Sequence, residues 1–206
     1  MREALTPEQA YRLQFLGYGD PASPVWFIGI EEGGAWREAQ PETHRALHLD
    51  GRRATYDPSL PVADGRESSV WRISRQLAQA AGAGTGYFLA NMAPFPRPSL
   101  ASRLDGIDAG DYVRLVREVR VPWLIGWLRA LRPAAVVFHG KAAWRGYRVR
   151  ESLGLPVGDA RVQVHPDQGL AFAPFFSRRL GILTAADIEA LTGFLTAAIA
   201  TRRKTP

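Results

Sequence analysis

Residues 25–34 read VWFIGIEEGG, and this stretch decides the fold class. An unbroken apolar run that ends at Ile30 is typical of a strand buried on both faces of a sheet. The run stops at two carboxylates, Glu31 and Glu32, and a pair of glycines follows as a turn. Because a strand buried on both faces needs helices above and below its sheet, the rest of the chain should alternate between strands and helices.

The remaining sequence shows this alternation. Further short apolar runs predict strands over 87–90, 134–138 and 161–164. Helical spacing of apolar residues predicts helices over 68–81, 112–130 and 184–201, the second of them kinked or divided by Pro122. The sequence therefore predicts the α/β class: a three-layer sandwich whose central, mostly parallel four-stranded sheet is flanked by helices.

The domain organisation is expected to be simple. The length of 206 residues suits one domain over 1–206. The segment 35–67 is polar and rich in Gly and Pro, which predicts a long loop or lid rather than a second domain. The end of the chain, 202–206, reads as a basic tail.

Composition narrows the function classes. The absence of cysteine excludes disulfides, thiolate zinc sites, Cys nucleophiles and Cys-ligated iron–sulfur clusters. The 26 Lys and Arg outnumber the 20 Asp and Glu by six, and only Lys141 and Lys204 are lysines. An excess of arginine fits a nucleic-acid partner, but it also fits the composition of proteins from GC-rich genomes, and both interpretations stay open.

Targeting and cofactor signals are missing from the sequence. No apolar run is long enough to cross a bilayer, and the first residues are too polar for a signal peptide, so a cytoplasmic protein without a membrane partner is expected. Phosphate-binding and dinucleotide-binding glycine motifs and the serine elbow of hydrolases are absent. His44 and His48 share a helical spacing but lack a zinc signature, so we expect no metal and no cofactor.

Polar side chains follow all the predicted strands. The carboxylates of Glu31 and Glu32 follow the first strand, and the next three strands end at Asn91, His139 and His165. Because ligands bind beyond the carboxyl ends of parallel strands, these groups are expected to share one edge of the sheet. Each also has a structural interpretation, as a turn or helix-start residue or, for His139 above all, as part of the packing.

Several segments, in their order along the chain, resemble the uracil-DNA glycosylase superfamily, whose members cut the bond between a damaged base and its sugar. The matching stretches are 25–33, 87–91, 131–143 and His165-Pro166-Asp167. Glu31 stands where the family carries Asp or Asn, and the missing cysteines separate this chain from the iron–sulfur branch. The resemblance implies a uracil-DNA glycosylase-like fold and a DNA base-excision glycosylase that hydrolyses the N-glycosidic bond of uracil or a related damaged base.

The resemblance also implies roles for individual residues. Catalysis falls to Glu31, which would orient a water, and to His165, which would donate a hydrogen bond to a base carbonyl. Asn91 would read the base edge with one donor and one acceptor. The remaining substrate contacts would come from the backbone of the first motif, at Gly29, Ile30, Glu32 and Gly33.

DNA is the partner that the resemblance implies, since a damaged base must leave the stack to enter such a site. Leu170 or Phe172 would act as a wedge in the opened duplex, and Arg178 and Arg179 would contact phosphates. Phe172 also reads as a core residue. Two alternatives stay open: a non-catalytic nucleic-acid-binding protein on the same fold, and a hydrolase of a small nucleoside-like metabolite.

Overall fold

The structure is a computed structural model of the chain. It describes residues 13–30, 55–56, 69–93, 108–140, 145–156, 158, 160–176 and 183–204. The strands are β1 (Gly17–Tyr18), β2 (Val25–Gly29), β3 (Thr55–Tyr56), β4 (Tyr87–Asn91), β5 (Ala135–His139), β6 (Gln163–His165) and β7 (Leu170–Ala173). The helices are α1 (Ser69–Ala80), α2 (Ala109–Leu115), α3 (Val121–Leu131), α4 (Val149–Ser152) and α5 (Ala185–Lys204).

The strands form one mixed sheet in the order β3-β1-β4-β2-β5-β7-β6. The neighbouring pairs β4–β2, β2–β5 and β5–β7 are all parallel, so these four strands form the centre of the sheet. Strands β1 and β6 pair antiparallel with their inner neighbours, β4 and β7. The predicted four-stranded sheet is therefore wrong in number, because the two-residue strands β1 and β3 and the central strand β7 were not predicted.

Alternate residues of the central strands pack on opposite faces of the sheet. Trp26 and Ile28 face one apolar cluster, which includes residues of α2 and α3. Val25 and Phe27 face the other, which is completed by residues of α1 and α5. Burial on both faces explains why these strands read as continuous apolar runs, and it confirms the α/β sandwich.

The long middle helix is divided as its proline requires. A wide π turn, Val116–Arg120, joins α2 to α3, and its last hydrogen bond runs from the Val121 amide to the Val116 carbonyl. Pro122, which has no N–H group, then occupies the start of α3, where a helix does not need that donor. The chain thereby continues through the proline with a local change of register.

The final helix begins at a reciprocal cap. The Thr184 hydroxyl accepts a hydrogen bond from the Asp187 amide at 3.2 Å, and the Asp187 carboxylate accepts one from the Thr184 amide at 2.7 Å. The predicted apolar stripe is confirmed at Leu191 and Leu195, which are buried, whereas Ile188 is 45% exposed. Within the described helices, none combines the length and hydropathy that a membrane span requires.

Candidate functional site

The carboxyl ends of the central strands align in register. Gly29 of β2 pairs with Asn91 of β4, and His139 of β5 pairs with Ala173 of β7. We call this side of the sheet the carboxyl edge. It is the location at which ligands bind in open α/β sheets, so Asn91 and His139 lie where the sequence predicted.

Gly29 allows the two polar side chains to meet. A methyl group built on its α-carbon would lie 2.9 Å from Asn91 Oδ1, 3.0 Å from His139 Cε1 and 3.2 Å from His139 Nε2. Any larger residue would collide with both side chains. The missing side chain of Gly29 therefore leaves room for the carboxamide and the imidazole to approach the same point.

His139 is buried and uncharged. Its side chain is 1% exposed, and its ring stacks on Phe176 with 4.2 Å between the centroids and 7° between the planes. Phe175 packs against the same ring at 5.5 Å. Burial lowers the pKa of His139 to about 3. At neutral pH, the imidazole therefore offers one donor and one acceptor rather than a positive charge.

Nδ1 of His139 is buried without a hydrogen-bond partner in the described part of the chain. A buried polar atom of this kind costs free energy unless something bonds to it. The rings of Phe175 and Phe176 that pack on the imidazole offer no hydrogen-bond acceptor or N–H donor to this atom.

The backbone between the two inner strands is fixed by hydrogen bonds. The amide of Met92 donates to the Gly29 carbonyl at 2.9 Å, and the amide of Ala93 donates to the Ile30 carbonyl at 2.8 Å. Half-buried Asn91 lies directly before this pair of bonds. The backbone position of Asn91 is thus set by the sheet and by the first residues of the loop that follows it.

His165 does not lie at the carboxyl edge, so the prediction that it shares this edge with Asn91 and His139 is wrong. Strand β6 runs antiparallel to β7, so His165 pairs with Leu170, the first residue of β7, while the last, Ala173, pairs with His139. Three residues of extended strand separate those two positions by roughly 10 Å. The cause is a tight turn over Pro166–Gln168, closed by Gly169 in the left-handed region at φ 65°, which reverses the chain into a hairpin.

The surroundings of His165 also differ from those expected of a base-binding group. Its ring meets Phe172 edge-on at 6.0 Å, and the Arg150 guanidinium lies 4.8 Å from the same phenylalanine ring. Burial, and secondarily the charge of Arg150, lower the pKa of His165. The side chain belongs to the packing at the opposite side of the sheet, which we call the amino edge.

The predicted wedge residues are core residues. Leu170 is 6% exposed and Phe172 is 0% exposed, because both lie in the central strand β7. Phe172 stacks on Phe138 at 5.1 Å. Neither side chain is available to enter a duplex, so both wedge predictions are wrong.

Several predicted site residues lie outside the described residues, and their roles stay predictions. They are Glu31, Glu32, Gly33, Arg178 and Arg179. Most of the predicted lid over 35–67, together with His44 and His48, also lies outside, although Thr55–Tyr56 forms the outermost strand. Among the described residues, no group of three or more His, Asp or Glu side chains could hold a metal ion.

Sequence reasoning missed two contributors to the carboxyl edge. The ring of Phe176 supports His139, and the pair of adjacent phenylalanines after Pro174 was the available signal. Arg120 donates to the Asn91 carbonyl at 3.1 Å. Its position four residues after buried Val116 and four before buried Leu124 was a signal, because a cation on the apolar side of a helix needs a buried partner.

No protein-family model matches the chain, and no curated protein sequence matches it. The class that the fold itself defines is an α/β sandwich with a polar site at the carboxyl edge of its parallel strands.

Proposed function

We propose that the chain binds a nucleobase at the carboxyl edge and hydrolyses the N-glycosidic bond of uracil or a related damaged base. The proposal includes a uracil-DNA glycosylase-like relationship, which the order of the sequence motifs supports. The observation that carries it is the approach of Asn91 and His139 to one point beside Gly29.

The chemistry of these two groups suits a planar, polar ring. The Asn91 carboxamide has two N–H donors and an acceptor oxygen, and uracil presents alternating carbonyl and N–H groups along one edge. The imidazole of His139, which is neutral at neutral pH, adds one further N–H donor. The base would then be held by hydrogen bonds whose pattern distinguishes it from bases with a different edge.

Bond cleavage requires the site to stabilise opposite charges. As the bond breaks, negative charge collects on the departing base and positive charge on the sugar. A hydrogen bond from His139 to a base carbonyl would stabilise the first charge, in the role that the sequence had given to His165. Glu31 is the second residue after Gly29 in the sequence, so its carboxylate is assigned the second charge and the orientation of the attacking water.

Release of free uracil from a uracil-containing oligonucleotide, single-stranded and double-stranded, tests the proposal. Glu31→Gln should lower the rate by about a hundredfold or more, because the amide neither orients water as a base nor offsets the sugar charge. Glu189→Gln, an exposed change on α5, is the matched control and should leave the rate unchanged. Absence of base release by the wild type from a panel of damaged bases would refute the proposal.

Burial of Leu170 and Phe172 favours a second candidate, the hydrolysis of a free nucleoside-like metabolite. A free ligand needs no wedge to remove it from a stack. This candidate predicts turnover of deoxyuridine or uridine with no release from either oligonucleotide. The same assay therefore separates the two substrates.

A further inference from the structure

Arg120 is a buried arginine whose surroundings connect it to the carboxyl edge. Its side chain is 1% exposed and leaves the chain at the end of the π turn. Such turns insert an extra residue into a helix and are frequent near functional sites. Here the turn places a buried cation in a stretch of the chain whose residues Val116 and Leu124 belong to the apolar core.

The guanidinium of Arg120 joins two distant segments. Nη1 donates to the Leu13 carbonyl at 2.8 Å, and Nη2 donates to the Asn91 carbonyl at 3.1 Å. The group also lies 4.6 Å from the centre of the Trp123 ring. Its planar fork suits these two carbonyls, since its donors have fixed and different directions.

The bond to Asn91 acts on a peptide group that is already held from its other end. The Asn91 carbonyl and the Met92 amide belong to one planar peptide unit. Arg120 donates a hydrogen bond to the oxygen of this unit, and the N–H group of the same unit donates to the Gly29 carbonyl at 2.9 Å. Bonds to both ends of the unit polarise it in the same sense and strengthen each other.

We propose that Arg120 is a positioning residue, which clamps the Asn91–Met92 peptide unit and thereby fixes the Asn91 carboxamide beside Gly29 and His139. The proposed role in base binding rests on the proposed function, whereas the clamp itself does not. Arginine is required because the ammonium of lysine is a point donor and does not reproduce two bonds with fixed directions. A residue that only stabilised the fold would alter global stability without changing this peptide unit selectively.

Amide hydrogen exchange of the free protein tests the clamp. Arg120→Lys should speed exchange of the Met92 amide by about tenfold, as expected for the loss of one charge-assisted hydrogen bond, while the Leu195 amide in α5 keeps its rate. The matched control is Arg117→Lys. Arg117 also donates two bonds to a backbone carbonyl, that of Gly146, at 2.8 and 2.6 Å, but in another segment. This control should leave the Met92 rate unchanged.

Binding of free uracil provides the second measurement. Arg120→Lys should raise the Kd by about tenfold because the carboxamide is no longer fixed before binding, and Arg117→Lys should not change it. A wild type that binds no uracil would refute the proposed function, and Met92 exchange would then decide on the clamp alone. The clamp would be overturned if the Met92 amide of Arg120→Lys exchanged as slowly as in the wild type. It would also be overturned if exchange became faster by the same factor at Met92 and at Leu195.

A folding defect leaves the proposal falsifiable. If Arg120→Lys does not fold, Arg120→Gln replaces it, since the amide keeps one donor and removes the buried charge. The expected results are the same, faster Met92 exchange and weaker uracil binding. If both variants fail to fold, Arg120 supports the whole fold rather than this peptide unit, and the proposal is overturned.

Discussion

The two edges of the sheet each present a histidine against phenylalanine rings, and the two histidines differ in their ring packing and in their polar neighbours. His139 at the carboxyl edge is stacked flat on Phe176 and faces Asn91 across Gly29. His165 at the amino edge meets Phe172 edge-on, near the charge of Arg150. Strand direction produces the difference, because β5 is parallel to its neighbours and β6 is not.

A polar residue after a strand therefore indicates a ligand-binding site only when the direction of that strand in the sheet is known. Both histidines follow short apolar runs, and the sequence around His165 has the more conspicuous motif. Yet only His139 shares its edge with a carboxamide. The predictions below test whether the carboxyl edge alone carries the binding function.

The largest expected effect is the dependence of stability on acid at His139. The folded protein keeps this ring neutral down to about pH 3, whereas the unfolded chain takes up the proton near 6.5. The folded state thus binds fewer protons within that window, so stability is complete above pH 6.5 and falls as the pH drops towards 3. The loss approaches about 5 kcal/mol at the lower limit, at about 1.4 kcal/mol for each pKa unit.

Urea unfolding of the wild type and of His139→Phe between pH 4 and pH 7 measures this term, since phenylalanine preserves the stacking and does not titrate. His139→Phe should remove much of the acid loss. His165→Phe should remove less, because its pKa is also lowered but the ring is less buried. An equal or larger change in His165→Phe would contradict the contrast between the edges.

The next effect concerns the buried arginines of the two edges. Arg120→Ala should lower the free energy of unfolding by about 4 kcal/mol, because two carbonyls lose a charged donor and the stacking on Trp123 is lost. Arg150→Ala should also destabilise, but only Arg120→Ala should weaken uracil binding. Chemical denaturation and calorimetric titration measure the two quantities. Weaker uracil binding by a folded Arg150→Ala would place the ligand near the amino edge.

Asn91→Asp should weaken uracil binding by about a hundredfold, because it replaces two donors with a charged acceptor beside a base carbonyl. The matched control is Gln163→Glu on the outermost strand β6, which likewise removes an amide, one that donates to the Ala160 carbonyl at 2.8 Å. That control should keep the Kd of the wild type, although its stability falls. Equal losses of affinity in both variants would show that the carboxamide of Asn91 has no special role.

The smallest effect lies away from both edges, at the cap of α5. Thr184→Ala should lower stability by about 1 kcal/mol, as is usual for the loss of an N-cap hydroxyl. Uracil binding should be unaffected. This variant shows how far a loss of stability alone alters the measured Kd of uracil. A change in its Kd beyond experimental error would mean that the Kd changes of the Arg120 and Asn91 variants do not report on the binding site alone.

The sequence predicted the α/β class, three of the four central strands and the long helices, since these depend on local apolar periodicity. It did not predict the hairpin that reverses β6, because that depends on Gly169 adopting a left-handed conformation. Nor did it predict the two-residue strands β1 and β3, which are too short to show a period.

The candidate site was predicted in part for the same reason. Asn91 and His139 end strands whose direction was inferred correctly. His165 ends a strand whose direction was inferred wrongly, and Leu170 and Phe172 lie in a strand that was not predicted. Arg120 required long-range information, because its partners Leu13 and Asn91 are 107 and 29 residues away in sequence. Contacts over such distances are set by the topology of the sheet rather than by local pattern.

The central claim is that the ligand binds at the carboxyl edge, and nitrogen NMR of the two histidine rings during a uracil titration tests it most directly. We expect the NMR signals of the His139 ring nitrogens and of the Asn91 side-chain amide to shift together as uracil binds. The signals of the His165 ring nitrogens should stay unchanged. Shifts at His165 with none at His139, or no shift at either ring, would contradict it.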